Sequence, residues 1–266
     1  MKVVYHKNTL TGVGSHVILL LTPMHDLTQR QIQILKTLIE EYIESAEAVG
    51  SETLEKKHNL SASPATIRNE MVRLSELGYL KKPHTSAGRI PTPLAMKFYV
   101  NQLMKERELS VAEEVALKES VWDYREKAKT CLRVVTKSLA EKTHALAIAT
   151  TQDGDMYIAG YANILDMPEF YDIDITKVLL TAIDEYEIFR SVCETFQEDD
   201  ETHVLLGEEL GPRLNGPYGF VFTRYNTPSH STGEIGVIGP TRLNYTAIVP
   251  TVRYFGSLIE EIAKGW

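Results

Sequence analysis

One stretch in the first third of the sequence carries the start and stop signals of a short helix, and it restricts the fold more than any other feature. Ser63 is a favoured N-cap residue, and Pro64 suits the first helical position, where its missing N–H has no helical partner. Gly78 supplies a left-handed stop. Apolar residues recur at helical spacing between these ends: Ile67, Met71 and Leu74. The pattern predicts an amphipathic helix from residue 64 to near residue 77.

Two further helices precede this one, and a hairpin follows it. Thr28 and Gln31 have the spacing of a capping box, and the apolar periodicity behind them predicts a first helix. Ser51 caps a shorter second helix. Residues 79–90 run from strand signals through a turn-rich loop and back, which predicts a β-hairpin wing. The order of helix, helix, recognition helix and wing is that of a winged helix-turn-helix.

The outward face of the third helix and the wing carry side chains suited to DNA. Arg bridges guanine O6 and N7, Asn bridges adenine N6 and N7, and hydroxyl and Lys side chains reach phosphates. The candidate DNA-binding residues are Ser63, Thr66, Arg68, Asn69 and Arg73 on the helix and Lys81, Lys82, His84, Thr85, Ser86 and Arg89 on the wing. Gly88 is expected to let the backbone approach phosphate, and Arg89 is expected at the wing tip, where it enters a narrow minor groove. An ordinary solvated helix surface is the alternative interpretation.

The charge of the chain is divided between its two parts. The sequence has a formal net charge of −8. Residues 49–105 nevertheless contain 9 Lys or Arg against 4 Asp or Glu, whereas residues 106–266 contain 15 against 27. A basic module in an acidic chain is typical of a nucleic-acid-binding head on an acidic body. Uneven surface charge without a function is the alternative.

Apolar patterning after residue 105 predicts an α+β body. Residues 110–140 are helical in character, with an apolar stripe that can pair with a partner chain or pack within this one. Strands are predicted at 145–150, 156–161, 204–206, 219–223 and 234–238, and helices at 175–196 and 246–263. Antiparallel strands with helices on one side give the α+β class. The predicted organisation is an extra segment at 1–23 outside the fold, a winged-helix domain at 24–105, a helical connector at 106–143 and a last domain at 144–266.

The body offers no pattern of catalytic chemistry. Adjacent Glu208 and Glu209 would point to opposite sides of a strand and so would not act on one bond. Cys131 and Cys193 lie far apart without CxxC spacing, which excludes a cysteine zinc site and suits a reducing cytoplasm. No apolar run approaches the roughly 20 residues of a membrane helix. We therefore expect a protein that is not an enzyme, with no catalytic residue, no cofactor, no metal site and no membrane span.

Several ordered segments of the chain match the motifs of one family. The segments are 27–31, 49–54, 63–71, 77–80, 83–92, 160–170, 207–209 and 236–245. The most diagnostic is PHTSAGRIPT at 83–92, and the segment at 160–170 has the form GxxNxLxxPEF. Together they resemble the heat-inducible transcription repressor family HrcA. One departure is Leu243-Asn244, which stands where Met-Asp is usual in that family.

The resemblance implies a bacterial cytoplasmic repressor with a GAF-like body that controls chaperone genes. It implies a homodimer on double-stranded DNA carrying an inverted repeat of the CIRCE type, release on heat stress, and modulation by the GroEL chaperonin. Family members usually carry an inserted dimerising domain, whereas here 145–150 reaches 156–161 through a short turn, so the insert is predicted to be missing. Residues 110–140 and the C-terminal helix are the candidate dimer surfaces.

Two other functions stay open at this point. One is a winged-helix regulator whose GAF-like body senses a small molecule, and the other is an enzyme with a DNA-targeting head. The lack of any convergent acid–base or metal group in the sequence weighs against the enzyme. Because no redox pair or metal cluster is evident, heat is predicted to act by unfolding the body.

Overall fold

The chain divides into two units, each with an apolar interior of its own. The computed structural model describes residues 27–58, 60, 62–83, 88–123, 128–194, 202–228 and 232–265. The first unit, here called the head, comprises Met1–Glu40 and Ala48–Leu103, and the second, called the body, comprises Glu41–Glu47 and Met104–Trp266. The predicted extra segment at 1–23 lies outside the described residues.

The described residues of the head fold as a winged helix. Its elements in chain order are α1 (Gln29–Ser45), α2 (Ser51–His58), α3 (Pro64–Glu76), β1 (Leu80–Lys81), β2 (Ile90–Pro91), α4 (Pro93–Phe98) and a π-helical turn (Tyr99–Leu103). The last turn of α1 is grouped with the body. β1 and β2 pair antiparallel, with Leu80 opposite Pro91, and form the wing after α3. This order confirms the predicted winged helix-turn-helix.

Side-chain caps fix where the helices of the head begin and end. In the predicted capping box, the backbone N of Gln31 donates to Thr28 Oγ1 at 3.3 Å, and the backbone N of Thr28 donates to Gln31 Oε1 at 2.9 Å. Ser63 caps α3 by accepting a hydrogen bond from the backbone N of Thr66 at 3.2 Å. Gly78 follows α3 with a φ of +81°. The fully buried side chains behind these caps include Leu35, Leu38, Leu54, Ile67 and Leu74.

The body is built around a five-stranded antiparallel sheet. Its strands are β3 (Leu146–Thr150), β4 (Met156–Ala159), β5 (His203–Leu206), β6 (Tyr218–Asn226) and β7 (Thr232–Pro240). Its helices are α5 (Val111–Trp122), α6 (Ala128–Thr143), α7 (Tyr161–Leu165), α8 (Ile173–Ile183), α9 (Tyr186–Glu194) and α10 (Tyr245–Ala263), with short 3₁₀ helices at Pro168–Tyr171 and Gly207–Leu210. The strand order is β4-β3-β7-β6-β5, so β7 is central.

Helices cover both faces of this sheet, so the predicted one-sided arrangement is wrong. On one face, Phe220 of β6 packs edge-on against Phe189 of α9, with ring centroids 5.8 Å apart. On the other face, α10 lies so close that a Cβ at Gly256 would meet Thr223 Cγ2 at 2.5 Å. The strands permit this because the three inner ones are buried along most of their length: every residue of β3 is buried, as are all but two residues each of β6 and β7.

Several element boundaries of the body differ from the predicted ones, and two of the differences each add a helix. The helix predicted at 175–196 is divided into α8 and α9, because the chain turns at Asp184 and Glu185; residues 195 and 196 lie outside the described part of the chain. The strand predicted at 156–161 ends at Ala159, and α7 follows. The connection from β3 to β4 is the short turn that was predicted, with Gly154 N donating to Thr151 O at 3.0 Å.

A tight loop joins the end of α6, the start of β3 and the start of α7. Gly160 has a φ of +87°, and a Cβ there would lie 2.4 Å from the carbonyl oxygen of Ala145. Asn163 Nδ2 donates to that same carbonyl at 2.9 Å and to the carbonyl of Ala140 at 3.3 Å. The glycine and asparagine of the GxxNxLxxPEF segment therefore serve to hold this corner of the body together.

Replacing Gly160 with Ala should destabilise the body more than the same change at Gly154. Both glycines have a positive φ, +87° and +89°, which costs an L residue roughly 1–2 kcal/mol. The new Cβ would clash with the backbone only at Gly160, because the nearest atom at Gly154 is Tyr186 Cε1 at 3.9 Å. Chemical denaturation should give a free energy of unfolding about 1–3 kcal/mol lower for Gly160→Ala. Equal values for the two variants would contradict the role of this contact.

Candidate nucleic-acid interface

α3 presents one continuous face to the outside. Its exposed residues are Ala65, Arg68, Asn69, Val72, Arg73 and Glu76, and its buried residues are Ile67, Glu70, Met71 and Leu74. Spacings of three and four residues place the exposed set on one side of the helix and the buried set on the other. The helix therefore anchors itself to the head by one side and leaves the Arg and Asn side chains accessible.

The predicted site residues are largely accessible where the structure describes them. Exposed residues are Ser63, Arg68, Asn69, Arg73, Lys81 and Lys82, and partly buried residues are Thr66 and Arg89. His84, Thr85 and Ser86 lie outside the described residues. Most of the described candidates therefore lie on or next to α3 and the wing hairpin that directly follows it.

The N-terminal end of α3 is held by two hydroxyl side chains. Ser63 Oγ accepts the hydrogen bond from the backbone N of Thr66 and lies 3.0 Å from Thr66 Oγ1. Pro64 occupies the first turn. Free N–H groups at a helix start carry partial positive charge and attract phosphate oxygens. The two hydroxyls and the helix end therefore suit contact with a phosphate in addition to capping the helix.

A buried carboxylate positions one of the arginines. Glu70 Oε2 accepts a hydrogen bond from Gln31 Nε2 at 3.1 Å, and Glu70 Oε1 accepts one from Arg73 Nη1 at 3.3 Å. The Glu70 side chain is 11% exposed, whereas that of Arg73 is 65% exposed. Glu70 thus ties α1 to α3 and restrains an otherwise accessible guanidinium group, which reduces the entropy that Arg73 would lose on binding a partner.

The base of the wing is joined to the segment that precedes α2. The backbone N of Val49 donates to Arg89 O at 2.9 Å, and the backbone N of Arg89 donates to Val49 O at 2.9 Å. Arg89 Nε also donates to Ser75 Oγ of α3 at 3.1 Å. Arg89 therefore lies at the base of the wing and not at its tip, which corrects the expected position.

Gly88 has a packing role within the head. A Cβ at this position would lie 2.3 Å from the carbonyl oxygen of Val49. The protein's own backbone therefore requires glycine at this position. The phosphate contact expected near Gly88 stays a prediction.

Val72 is an outward-facing residue that the sequence interpretation missed. Its side chain is 39% exposed, and it lies on the same stripe of α3 as Arg68 and Asn69. Apolar side chains on a recognition helix contact the thymine methyl group in the major groove. Helical spacing could have predicted this outward position, since residue 72 follows Arg68 by about one helical turn.

Polar contacts of the body join its helices and loops. Arg242 Nε donates to Glu169 Oε1 at 2.6 Å, and Arg242 Nη2 donates to Glu169 Oε2 at 3.2 Å.

Burial raises the pKa of the Cys131 thiol to about 11, which makes it a poor nucleophile near neutral pH. In the part of the chain that the structure describes, no three His, Cys, Asp or Glu side chains group as metal ligands, and no helix has the length and apolarity to span a membrane.

The head has a capped helix with an exposed Arg and Asn face, followed directly by a lysine-bearing hairpin. This arrangement places it in the class of winged-helix DNA-binding proteins. Comparison with known families specifies the class further. The model for the winged helix-turn-helix DNA-binding domain of the transcription repressor HrcA matches residues 26–105, and the model for the HrcA C-terminal domain matches residues 93–249. The chain therefore belongs to the HrcA family of transcription repressors, a class that is not normally enzymatic.

Individual relatives agree with this assignment over most of the chain. The heat-inducible transcription repressor HrcA of Thermomicrobium roseum is 25% identical over 331 residues, covering 89% of this chain and 95% of the relative. That of Ruminiclostridium cellulolyticum is 28% identical over 341 residues, covering 90% and 98%. Both alignments are longer than the 266 residues of this chain, so the relatives contain segments without a counterpart here.

One solved structure shares the fold. It is the crystal structure of a hypothetical protein at 2.2 Å resolution, and it is 17% identical to this chain, with a TM-score of 0.68. The match covers 90% of this chain and 98% of that one. At this identity the likeness establishes the architecture of head and body as a known fold and carries no statement about function.

Substitutions at Ser63 should separate helix capping from DNA contact. Asp caps a helix as well as Ser does, whereas Ala loses about 1 kcal/mol of stability. Ser63→Asp should therefore keep the stability of the head but bind duplex DNA more weakly, because its carboxylate repels phosphate. Ser63→Ala should lower the stability of the head and remove one hydroxyl contact, so it should weaken DNA binding less than Ser63→Asp does. Chemical denaturation and fluorescence anisotropy at low salt measure the two effects.

The matched control is Thr28→Asp, which retains the cap of α1 and adds the same charge at the start of a different helix. This variant should bind DNA like the wild type. If Ser63→Asp also binds DNA like the wild type, the N-terminal end of α3 does not face a phosphate.

Proposed function

We propose that this chain represses heat-shock chaperone genes by binding an inverted-repeat operator of the CIRCE type as a homodimer, and that heat stress releases it. The observation that carries the proposal is the exposed Arg and Asn face of α3 beside the wing lysines, in a head matched by the HrcA DNA-binding model. The shared name of the relatives, heat-inducible transcription repressor, supports the response to heat.

The domain organisation and the location belong to the same proposal. We assign residues 24–105 to the DNA-binding domain, 106–143 to a helical connector and 144–266 to a GAF-like domain, in a protein of the bacterial cytoplasm. The antiparallel sheet with helices on both faces is compatible with such a domain. In this arrangement the head recognises DNA, and the body holds two copies together.

Within the head, two kinds of DNA contact are proposed. Arg68 and Asn69 read base edges in the major groove, and Val72 contacts a thymine methyl group. The residues proposed to contact the DNA backbone are Ser63, Thr66, Arg73, Lys81, Lys82, His84, Thr85, Ser86 and Arg89. Arg89 acts from the base of the wing, where Ser75 holds its Nε. Backbone contacts position the head, and base contacts determine the sequence it prefers.

Arg68→Ala and Lys81→Ala should weaken binding in different ways. Losing a bidentate base contact costs roughly 1–3 kcal/mol and flattens the preference at one operator position. Losing a phosphate contact weakens all sequences alike and reduces the slope of log K against log salt by about 0.9. Selection from random duplexes measures the base preference at each operator position, and anisotropy titrations at several salt concentrations measure the affinity and the salt slope.

Lys177→Ala is the matched control for Lys81→Ala, because it removes an exposed lysine of α8 in the body. Its affinity and salt slope should equal those of the wild type. An Arg68→Ala protein that selects the wild-type operator with undiminished preference would remove Arg68 from the base-reading set. Selection of a sequence without inverted symmetry would contradict the proposed operator.

Heat is proposed to act by melting the body. A domain has only about 5–15 kcal/mol of net stability and loses it steeply on heating. The head is small and capped at Thr28 and Ser63, so we expect it to outlast the body. When the body melts, the two heads no longer bind as one unit, and affinity falls towards that of a single head. The GroEL chaperonin is proposed to restore the folded, DNA-competent form.

A temperature ramp tests this mechanism. Operator binding, followed by anisotropy, should fall together with the near-UV circular dichroism of the body, while the helical signal of the head persists. Chaperonin with ATP should restore binding after cooling more fully than cooling alone. Operator binding that outlasts the melting of the body, or recovery that is indifferent to chaperonin, would overturn the mechanism.

A further inference from the structure

A series of hydrogen bonds runs from the start of α1 to the exposed face of α3. The backbone N of Thr28 donates to Gln31 Oε1 at 2.9 Å, and Gln31 Nε2 donates to Glu70 Oε2 at 3.1 Å. Glu70 Oε1 accepts from Arg73 Nη1 at 3.3 Å. Gln31 and Glu70 are buried, whereas the Arg73 side chain is 65% exposed. The series therefore ends in an accessible guanidinium group on the helix that is proposed to meet DNA.

Residue 70 needs two acceptor oxygens to complete this series. One oxygen of Glu70 faces the amide of Gln31, and the other faces Arg73. The amide of Gln31 cannot be reversed without loss, because its oxygen accepts from the backbone N of Thr28. A glutamine at position 70 would have a single acceptor oxygen, so one of the two donors would lose its partner. The exposed arginine would lose it, since an unpaired group costs more when it is buried.

Glu70 restrains Arg73 at a small cost in conformational entropy. In an ordinary surface ion pair both long side chains must be ordered, which cancels most of the attraction between them. Here the Glu70 side chain is only 11% exposed and is already held by Gln31, so Arg73 alone loses freedom. A guanidinium group has several N–H donors in one rigid plane, and Glu70 accepts from one of its nitrogens. The remaining donors stay available for a phosphate oxygen.

The negative charge of Glu70 also opposes loosely bound DNA. A carboxylate beside Arg73 offsets the attraction of the guanidinium group for distant phosphates, because adjacent opposite charges nearly cancel at long range. Arg73 therefore gains most from a phosphate that contacts its remaining donors directly. Such a contact depends on the register of the protein on the duplex, so the gain belongs mainly to the operator complex.

We propose that Glu70 is a positioning residue for DNA specificity, which orients Arg73 towards one phosphate of the operator and lowers its attraction for other DNA. The inference rests on the proposed function, because it assumes that α3 faces DNA and that Arg73 contacts the backbone. It deepens that function by adding a buried residue that acts through Arg73 without touching the DNA itself.

Glu70→Gln and Glu76→Gln separate this role from a general effect of charge. Both variants remove one negative charge from α3, and Glu70→Gln also removes the acceptor to which Arg73 donates. The two probes are the duplex that the wild-type protein selects from random DNA and a scrambled duplex of equal length. Glu76→Gln should tighten binding to both alike. Glu70→Gln should lower the ratio of the two affinities about three- to tenfold, because Arg73 must again be ordered on binding.

The same comparison in an Arg73→Ala background tests whether Glu70 acts through the arginine. Without that side chain, Glu70→Gln and Glu76→Gln should change the affinity ratio equally. A merely structural role of Glu70 would keep the two variants different in this background and would overturn the proposal. Equal ratios for the two variants when Arg73 is present would also overturn it and leave the proposed function standing.

Arg73→Lys provides a second test that leaves Gln31 and Glu70 in place, and it decides the matter if Glu70→Gln unfolds the head. Lysine keeps the charge but lacks the rigid plane of donors. The salt slope should therefore stay unchanged, while the affinity ratio falls about three- to tenfold. A ratio equal to that of the wild type would overturn the proposal. A wild-type protein that selects no duplex would contradict the proposed function itself.

Discussion

Burial of the sheet on both faces is the constraint on which the body depends. A five-stranded antiparallel sheet with β7 at its centre has apolar side chains on both sides, so neither face tolerates water. α9 closes one face through Phe189, and α10 closes the other against Thr223. Because two separate layers of helices must both be in place, loss of either one exposes the same central strand. Such a domain unfolds cooperatively rather than in pieces.

The Glu169–Arg242 pair fixes two distant segments of the body relative to each other. Both side chains are about 15% exposed, and the carboxylate accepts two hydrogen bonds from the guanidinium group. Arg242 Nη1 also donates to the carbonyl of Ile43 at 3.3 Å. A buried pair of this kind adds little net stability, since desolvation offsets attraction, but breaking it leaves an uncompensated charge. Its contribution is therefore to specify one arrangement of these segments.

Features that depend on neighbouring residues were predictable from the sequence, whereas features that depend on contacts between distant segments were not. The caps at Thr28 and Ser63 and the stop at Gly78 depend on neighbours within a few residues, so the head and the outward face of α3 followed from the sequence. Arg89 was misplaced because a bridge to Val49, far back in the chain, sets its position. The second layer of helices was missed although nearly continuous apolar runs in the strands indicate burial on both faces.

The folding of the body and the orientation of α5 are physically linked. Tyr254 of α10 donates from its hydroxyl to the carbonyl of Glu114 at 2.7 Å, and Lys142 Nζ of α6 donates to Glu113 Oε1 at 2.6 Å. The Lys142 contact, with help from Ser110, lowers the pKa of Glu113 to about 2, so this attachment stays charged at physiological pH. α5 is thus held by the two helices that cover one face of the sheet. When that layer melts, α5 loses its support, which in the proposed mechanism ends the two-fold binding of the operator.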